Sequence, residues 1–162
     1  MIVILMGVSG SGKTTIGKLL SCELNWEFHD GDDFHPQSNV EKMRSGIPLN
    51  DDDRQPWLLS IQAFMKRCLE EGRSVVIACS ALKDAYRNLL LAGNREVAFV
   101  HLQGDKNLIA QRMAERKGHF MNPKLIESQF ATLEKPSQAF EVNIANSPAE
   151  IVKQIRKHLQ LA

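Results

Sequence analysis

Hydrophobic residues along this chain follow two rhythms. Short apolar runs, Ile2 to Met6 and Val75 to Cys79 being the clearest, alternate with longer segments in which apolar residues recur every three or four positions. An unbroken apolar run reads as a strand buried on both faces, whereas the longer period reads as a helix with one apolar stripe. Strands are expected over residues 2–6, 26–29, 74–79, 96–102 and 139–144. Helical stripes follow at Ile16, Leu19, Leu20 and Leu24, at Trp57, Ile61, Phe64, Met65 and Cys68, and at Ile151, Val152, Ile155 and Leu159. Pro36, Pro56, Pro123 and Pro148 are expected near first helical turns, where a missing amide hydrogen costs nothing, and Gly46, Gly72 and Gly93 near helix ends. Such alternation is the signature of an α/β fold built on a five-stranded, mainly parallel sheet flanked by helices. No repeat or low-complexity linker interrupts it, so residues 1–162 are expected to form a single domain.

Composition narrows the function classes. With 162 residues and 43% hydrophobic content the chain can build its own core without disulfides or a structural metal. A formal charge of +1 supplies no global field toward nucleic acid or an anionic membrane, so neither is an expected partner. The longest apolar runs are far short of the roughly 20 residues needed to span a bilayer, and the first of them leads straight into a glycine loop rather than a cleavage site. A cytoplasmic protein is expected. Cys22, Cys68 and Cys79 are odd in number and widely spaced, and they read as reduced core residues.

One motif carries the chemistry. Gly7-Val8-Ser9-Gly10-Ser11-Gly12-Lys13-Thr14 fits GxxxxGK[ST] and lies between an expected strand and an expected helix, the context a phosphate-binding loop requires. Gly7, Ser9, Gly10, Ser11 and Gly12 would wrap backbone amides around phosphate oxygens, with the positive end of the following helix behind them. Lys13 would reach the β- and γ-phosphates of ATP, Thr14 would offer its hydroxyl to Mg²⁺, and Thr15 is either helix surface or an extra phosphate contact. GTPase strings (DxxG, NKxD) are absent, and a motor would need more chain. A small phosphotransferase remains.

Acceptor chemistry is expected in the polar segment of about residues 30–58. Asp30 and Asp32 stand at the carboxyl edge of the second strand, where open α/β sheets bind ligands. Asp32 suits the orientation and deprotonation of an acceptor hydroxyl, and Asp30 a metal held through water. A solvated acidic turn capping the next helix is the bland alternative, and for Asp33 the better one. His35, Lys42 and Arg54 suit an anionic acceptor; the Arg54 fork fits a carboxylate bidentately, while Lys42 equally fits a solvated helix face. Ser80 and Arg87, after the third strand, are further acceptor candidates. Arg112 and Arg116, one helical turn apart, precede a basic segment at about 116–124 that reads as a lid; they would neutralise nucleotide phosphates or form a surface charge pair. Residues 145–147 read as an adenine loop.

Beyond the phosphate loop, the chain resembles the gluconate kinase family, a branch of the P-loop kinases related to shikimate and nucleoside monophosphate kinases. The resemblance rests on Gly31-Asp32-Asp33-Phe34-His35, Asp51-Asp52-Asp53-Arg54 with Pro56-Trp57-Leu58, Ala78-Cys79-Ser80-Ala81-Leu82-Lys83, Tyr86-Arg87, Arg116, His119-Phe120, and Ser128-Gln129-Phe130 with Leu133-Glu134-Lys135-Pro136. It implies a three-layer P-loop fold of nucleoside-monophosphate-kinase type with a small lid. It further implies ATP- and Mg²⁺-dependent phosphorylation of D-gluconate to 6-phosphogluconate by a cytoplasmic homodimer. Phe28, Asp30 and Asp32 also match the FxDxD pattern of shikimate kinases, but Cys79-Ser80-Ala81 stands where those enzymes carry a glycine triplet. A kinase of another sugar acid or hydroxy acid is the alternative, and a regulatory nucleotide-binding protein without transfer activity a third.

Overall fold

A computed structural model describes residues 1–115 and 125–162. The elements run β1 (Ile2–Met6), α1 (Lys13–Leu24), β2 (Glu27–Asp30), a 3₁₀ turn (Gly31–Phe34), α2 (Gln37–Arg44), α3 (Asp51–Glu70), β3 (Val75–Ala78), α4 (Asp84–Leu91), β4 (Val97–Gln103), α5 (Lys106–Glu115), α6 (Leu125–Thr132), β5 (Phe140–Asn143) and α7 (Pro148–His158). All five expected strands are present within two residues of their expected ends, in one parallel sheet of order β2-β3-β1-β4-β5.

The two-residue period of a strand divides the core in two. Val3 and Leu5 of β1, with Val76, Val100 and Leu102, face α1, α5 and α7 through Ile16, Leu20, Ile109, Ile151, Val152 and Ile155. Ile2, Ile4 and Met6, with Val75, Ile77 and Phe99, face α3 and α4 through Trp57, Ile61, Met65, Cys68 and Leu90. The result is a three-layer sandwich in which β1 is covered on both faces and paired on both edges. Each large apolar side chain buried this way contributes about 1.5–3 kcal/mol.

Two local expectations are corrected. Pro56 does not open its helix: α3 begins five residues earlier, at Asp51. There the Asn50 side chain accepts from the Asp53 amide at 2.8 Å while the Asp53 carboxylate accepts from the Asn50 amide at 3.0 Å, a reciprocal cap strong enough to start the helix ahead of the proline. Cys68 and Cys79 are buried as expected, but Cys22 is exposed on the outer face of α1.

Candidate active site

Chain order puts the exits of β1, β2 and β3 side by side, and the chemistry gathers there. After Met6 the backbone turns through the glycine loop into α1. Gly7, at φ 147°, takes a conformation no other residue adopts comfortably, and a Cβ on it would stand 2.8 Å from Ser11 Oγ and 2.9 Å from the Leu102 carbonyl. Its amide donates to the Ser80 carbonyl at 3.3 Å, which ties the loop to the exit of β3. Lys13 folds back over the loop, its Nζ donating to the carbonyls of Gly7 and Val8 at 3.0 and 2.9 Å. Ser9, Gly10, Gly12, Lys13 and Thr14 line the main cleft. Ser11, Thr15 and Arg112 line a second cavity on the other side of the loop, together with Asn146 of the expected adenine loop. Arg112 is held there by a 3.1 Å hydrogen bond to the Ile144 carbonyl.

Thr14 and Asp30, sixteen residues apart in sequence, meet across the cleft floor: Thr14 Oγ1 donates to Asp30 Oδ2 at 3.2 Å. The other carboxylate oxygen, Oδ1, accepts from the Asp32 amide at 2.9 Å and caps the 3₁₀ turn, so Asp30 is fixed from both ends. A hydroxyl and a carboxylate are the hard oxygen donors Mg²⁺ prefers when water and substrate phosphates complete its shell. Among the described residues no group of three or more His, Cys, Asp or Glu side chains is placed to cage a metal.

The acceptor half of the cleft is walled by the 3₁₀ turn, α3 and the segment after β3. Asp32, His35, Arg54 and Ser80 all line it, as do Trp57 and Leu82. The His35 ring stacks on Trp57 at 4.2 Å between centroids with an interplanar angle of 16°. Trp57 is itself buried and donates through Nε1 to the Gly31 carbonyl at 2.7 Å. Burial, helped by the positive charge of Arg54 and opposed by Asp30, pushes the His35 pKa down to about 4. The imidazole is neutral at physiological pH. Arg54 Nη1 donates to the Tyr86 hydroxyl at 2.9 Å, with its guanidinium carbon 5.4 Å from the centre of that ring. Tyr86 in turn donates to Asp51, to which Lys83 also donates at 3.0 Å. This chain of contacts leaves the forked end of Arg54 at the cleft wall.

Two expected site residues stand elsewhere. Lys42 does not line the cleft; it is ion-paired at 2.9 Å with Asp53 of α3, which holds the Asp53 carboxylate below the usual range. Arg87 is buried and committed to protein, donating to the Ala81 carbonyl at 2.6 Å, to the Asp84 carboxylate and to the Glu134 carbonyl at 2.9 Å. It is a clamp between two loops, not an acceptor contact. Arg116 and the expected lid at about 116–124 lie outside the described residues.

Sequence reasoning also passed over two contributors. Gln129 of α6 reaches the phosphate loop, its Oε1 accepting from the Ser9 amide at 2.6 Å. Asn39 of α2, buried, holds His35 to α3. Neither side chain is chemically conspicuous. Only the Ser128-Gln129-Phe130 string carries a signal in the sequence, and periodicity cannot say what it touches.

A family model described as shikimate kinase matches residues 9–160. A probable gluconokinase from Xenopus tropicalis is 48% identical over 152 residues, covering 85% of this chain and 80% of that protein. The chain belongs to the gluconokinase branch of this kinase family. A crystal structure of a sugar kinase from Janibacter sp. HTCC2649 superimposes with a TM-score of 0.93 at 41% identity, covering 99% of this chain and 95% of that one. A gluconokinase from Sinorhizobium meliloti 1021 follows at 0.83 and 39%, covering 98% and 94%. The Ala78 to Lys83 string and the Leu133 to Pro136 string are bonded to each other, Glu134 N donating to the Leu82 carbonyl at 2.7 Å and Asp84 N to the Glu134 carboxylate at 2.8 Å.

Proposed function

We propose that this chain transfers the γ-phosphoryl group of ATP to the terminal hydroxyl of D-gluconate, giving ADP and 6-phospho-D-gluconate. One observation carries the reading: a single cleft holds the phosphate loop with Lys13 at one end, Asp32 at the strand edge, and the Arg54 fork on the acceptor wall. Membership among gluconokinases 39–48% identical to this chain supports the same substrate.

Lys13 and the loop amides orient the triphosphate and stabilise the charge that spreads over the transferring oxygens. Asp32 accepts the proton of the attacking hydroxyl as its oxygen bonds to phosphorus and the bond from phosphorus to the β,γ-bridging oxygen breaks, ADP leaving in line. Thr14 and Asp30 would hold Mg²⁺, which would offset the negative charge of the phosphate oxygens. Arg54 pairs with the carboxylate that distinguishes a sugar acid from a neutral polyol. Ser80 and the neutral His35 hydrogen-bond the polyol chain. Arg112 flanks the nucleotide, and Arg116 supports the phosphates from the lid side. The functional unit is a cytoplasmic homodimer, whose mass light scattering would report.

The test is ADP release measured with D-gluconate, shikimate, sorbitol and a nucleoside monophosphate as acceptors, with and without Mg²⁺. Turnover is expected with gluconate and Mg²⁺. Equal efficiency with sorbitol would refute the carboxylate reading, and preference for shikimate would move the chain to its nearest alternative.

A further inference from the structure

His35 presents one ring nitrogen to Asn39 and the other to Asp32, and the surroundings of Asn39 decide which nitrogen carries the proton. Asn39 is 2% exposed, and its Nδ2 lies 2.8 Å from the Asp53 carbonyl and 3.2 Å from His35 Nδ1. A backbone carbonyl can only accept, so the amide atom facing it is the NH₂ group. That group has two hydrogens. One goes to the Asp53 carbonyl and the second to His35 Nδ1, which must therefore be the unprotonated, accepting nitrogen of a neutral ring. The proton sits on Nε2, which points toward Asp32 with Oδ1 at 3.9 Å.

That separation exceeds a direct hydrogen bond, but two bonds of about 2.8 Å can meet on one oxygen placed to the side of the gap. Such an oxygen must accept from His35 and donate to Asp32. A hydroxyl does both; a carbonyl or ether oxygen can only accept. We propose that Asn39 is a positioning residue that fixes His35 as the Nε2–H tautomer, so that His35 and Asp32 form a donor–acceptor pair seating one hydroxyl of the acceptor. The substrate identity rests on the function proposed above; the tautomer does not.

The groups around the ring keep this arrangement stable. Asp30 and Asp32 face it from β2 and the 3₁₀ turn, Arg54 and stacked Trp57 from α3, and Asn39 from α2. An imidazolium here would ion-pair with Asp32 and draw its carboxylate away from the hydroxyl. Burial keeps the ring neutral and Asn39 selects which neutral form is present.

The direct experiment is a ¹⁵N–¹H correlation spectrum of the imidazoles in the unliganded protein, with the His35 signals assigned by their loss in His35→Gln. Protonated Nε2 and bare Nδ1 are expected. A protonated Nδ1 overturns the proposal, and this reading holds whichever acceptor the enzyme uses. Asn39→Asp replaces the donor with an acceptor and should move the proton to Nδ1, raising the KM for gluconate about fivefold or more while the KM for ATP is unchanged, as expected for one lost hydrogen bond. A switched tautomer with an unchanged gluconate KM overturns the link to the acceptor. His35→Gln, which keeps an N–H donor, should retain more gluconate affinity than His35→Leu, and equal losses would refute the donor role even if Asn39→Asp fails to fold.

Discussion

Arg87→Met separates the structure's account of this residue from the one its position after β3 suggests. The substitution keeps an unbranched apolar stem and removes the guanidinium that joins the Ala81 carbonyl, the Asp84 carboxylate and the Glu134 carbonyl. Ala81 is fully buried, so its carbonyl loses its partner out of reach of water, at about 1–3 kcal/mol. Glu134 and Asp84 are exposed, and water can replace what they lose, so these two contacts add about 1 kcal/mol together. Ala81 also stands at φ 44°, a left-handed conformation that an alanine adopts against a cost of about 1–2 kcal/mol, and Arg87 pins it there. A loss near 3 kcal/mol corresponds to a fall in Tm of about 6–12 °C for a chain of this length. Thermal unfolding followed by circular dichroism reads that fall, and initial rates well below the new Tm read the kinetics. The gluconate KM should change less than about threefold, since no lost contact reaches acceptor. An unchanged Tm with a tenfold rise in KM would refute the clamp and restore Arg87 to the acceptor site.

The other expectations concern the cleft itself. Asp32→Asn should lower kcat by about 10²-fold or more while the KM for ATP stays near its original value; weakened ATP binding with normal kcat would make Asp32 a nucleotide or metal residue. Arg54→Ala should raise the gluconate KM about 30- to 150-fold, equivalent to about 2–3 kcal/mol, the lower end of the range for losing a charged partner because this side chain is only half-buried; an equal rise in the KM for ATP would place the guanidinium elsewhere. His35, ordinarily near 6.5, titrates at about 4 in the folded protein, so as pH falls through 6.5 the unfolded chain binds a proton that the folded chain refuses. Stability should therefore decline between about pH 6.5 and 4, on the order of 3 kcal/mol in all. Urea midpoints for His35→Gln should lack that component, and identical pH profiles for the two proteins would contradict it.

What could be read in advance was what repeats or what is chemically conspicuous. Strands buried on both faces announce themselves as apolar runs, and the phosphate loop by its glycines and lysine, so the sheet and the nucleotide end were legible before any coordinates. Asp30 and Thr14 were legible too, because both follow strand or loop ends that a parallel sheet gathers at one edge. Arg87 and Lys42 were not legible, because charge alone does not say whether a cation meets a ligand or a carbonyl or carboxylate of its own chain. Ala81 and Glu134 are 53 residues apart, and nothing periodic connects them. Pro56 misled for a related reason: the cap at Asn50 is a local hydrogen-bond exchange that outweighs one missing amide. The orientation of Asn39, which decides a proton's place, depends on a carbonyl fourteen residues away.

The central place of β1 also sets the order in which this molecule can be born. β1 registers Ile2 against Val75 on one side and against Val97 on the other, so this strand leaves the ribosome well before either of its neighbours. Closing such loops costs entropy before any contact rewards it, and parallel sheets with distant partners fold slowly for that reason. Until Gln103 has emerged, the run Ile2–Met6 has an unpaired edge and no complete hydrophobic cover. A nascent chain arrested before β4 would therefore carry a sticky, strand-forming segment, a natural client for a chaperone that holds extended apolar segments.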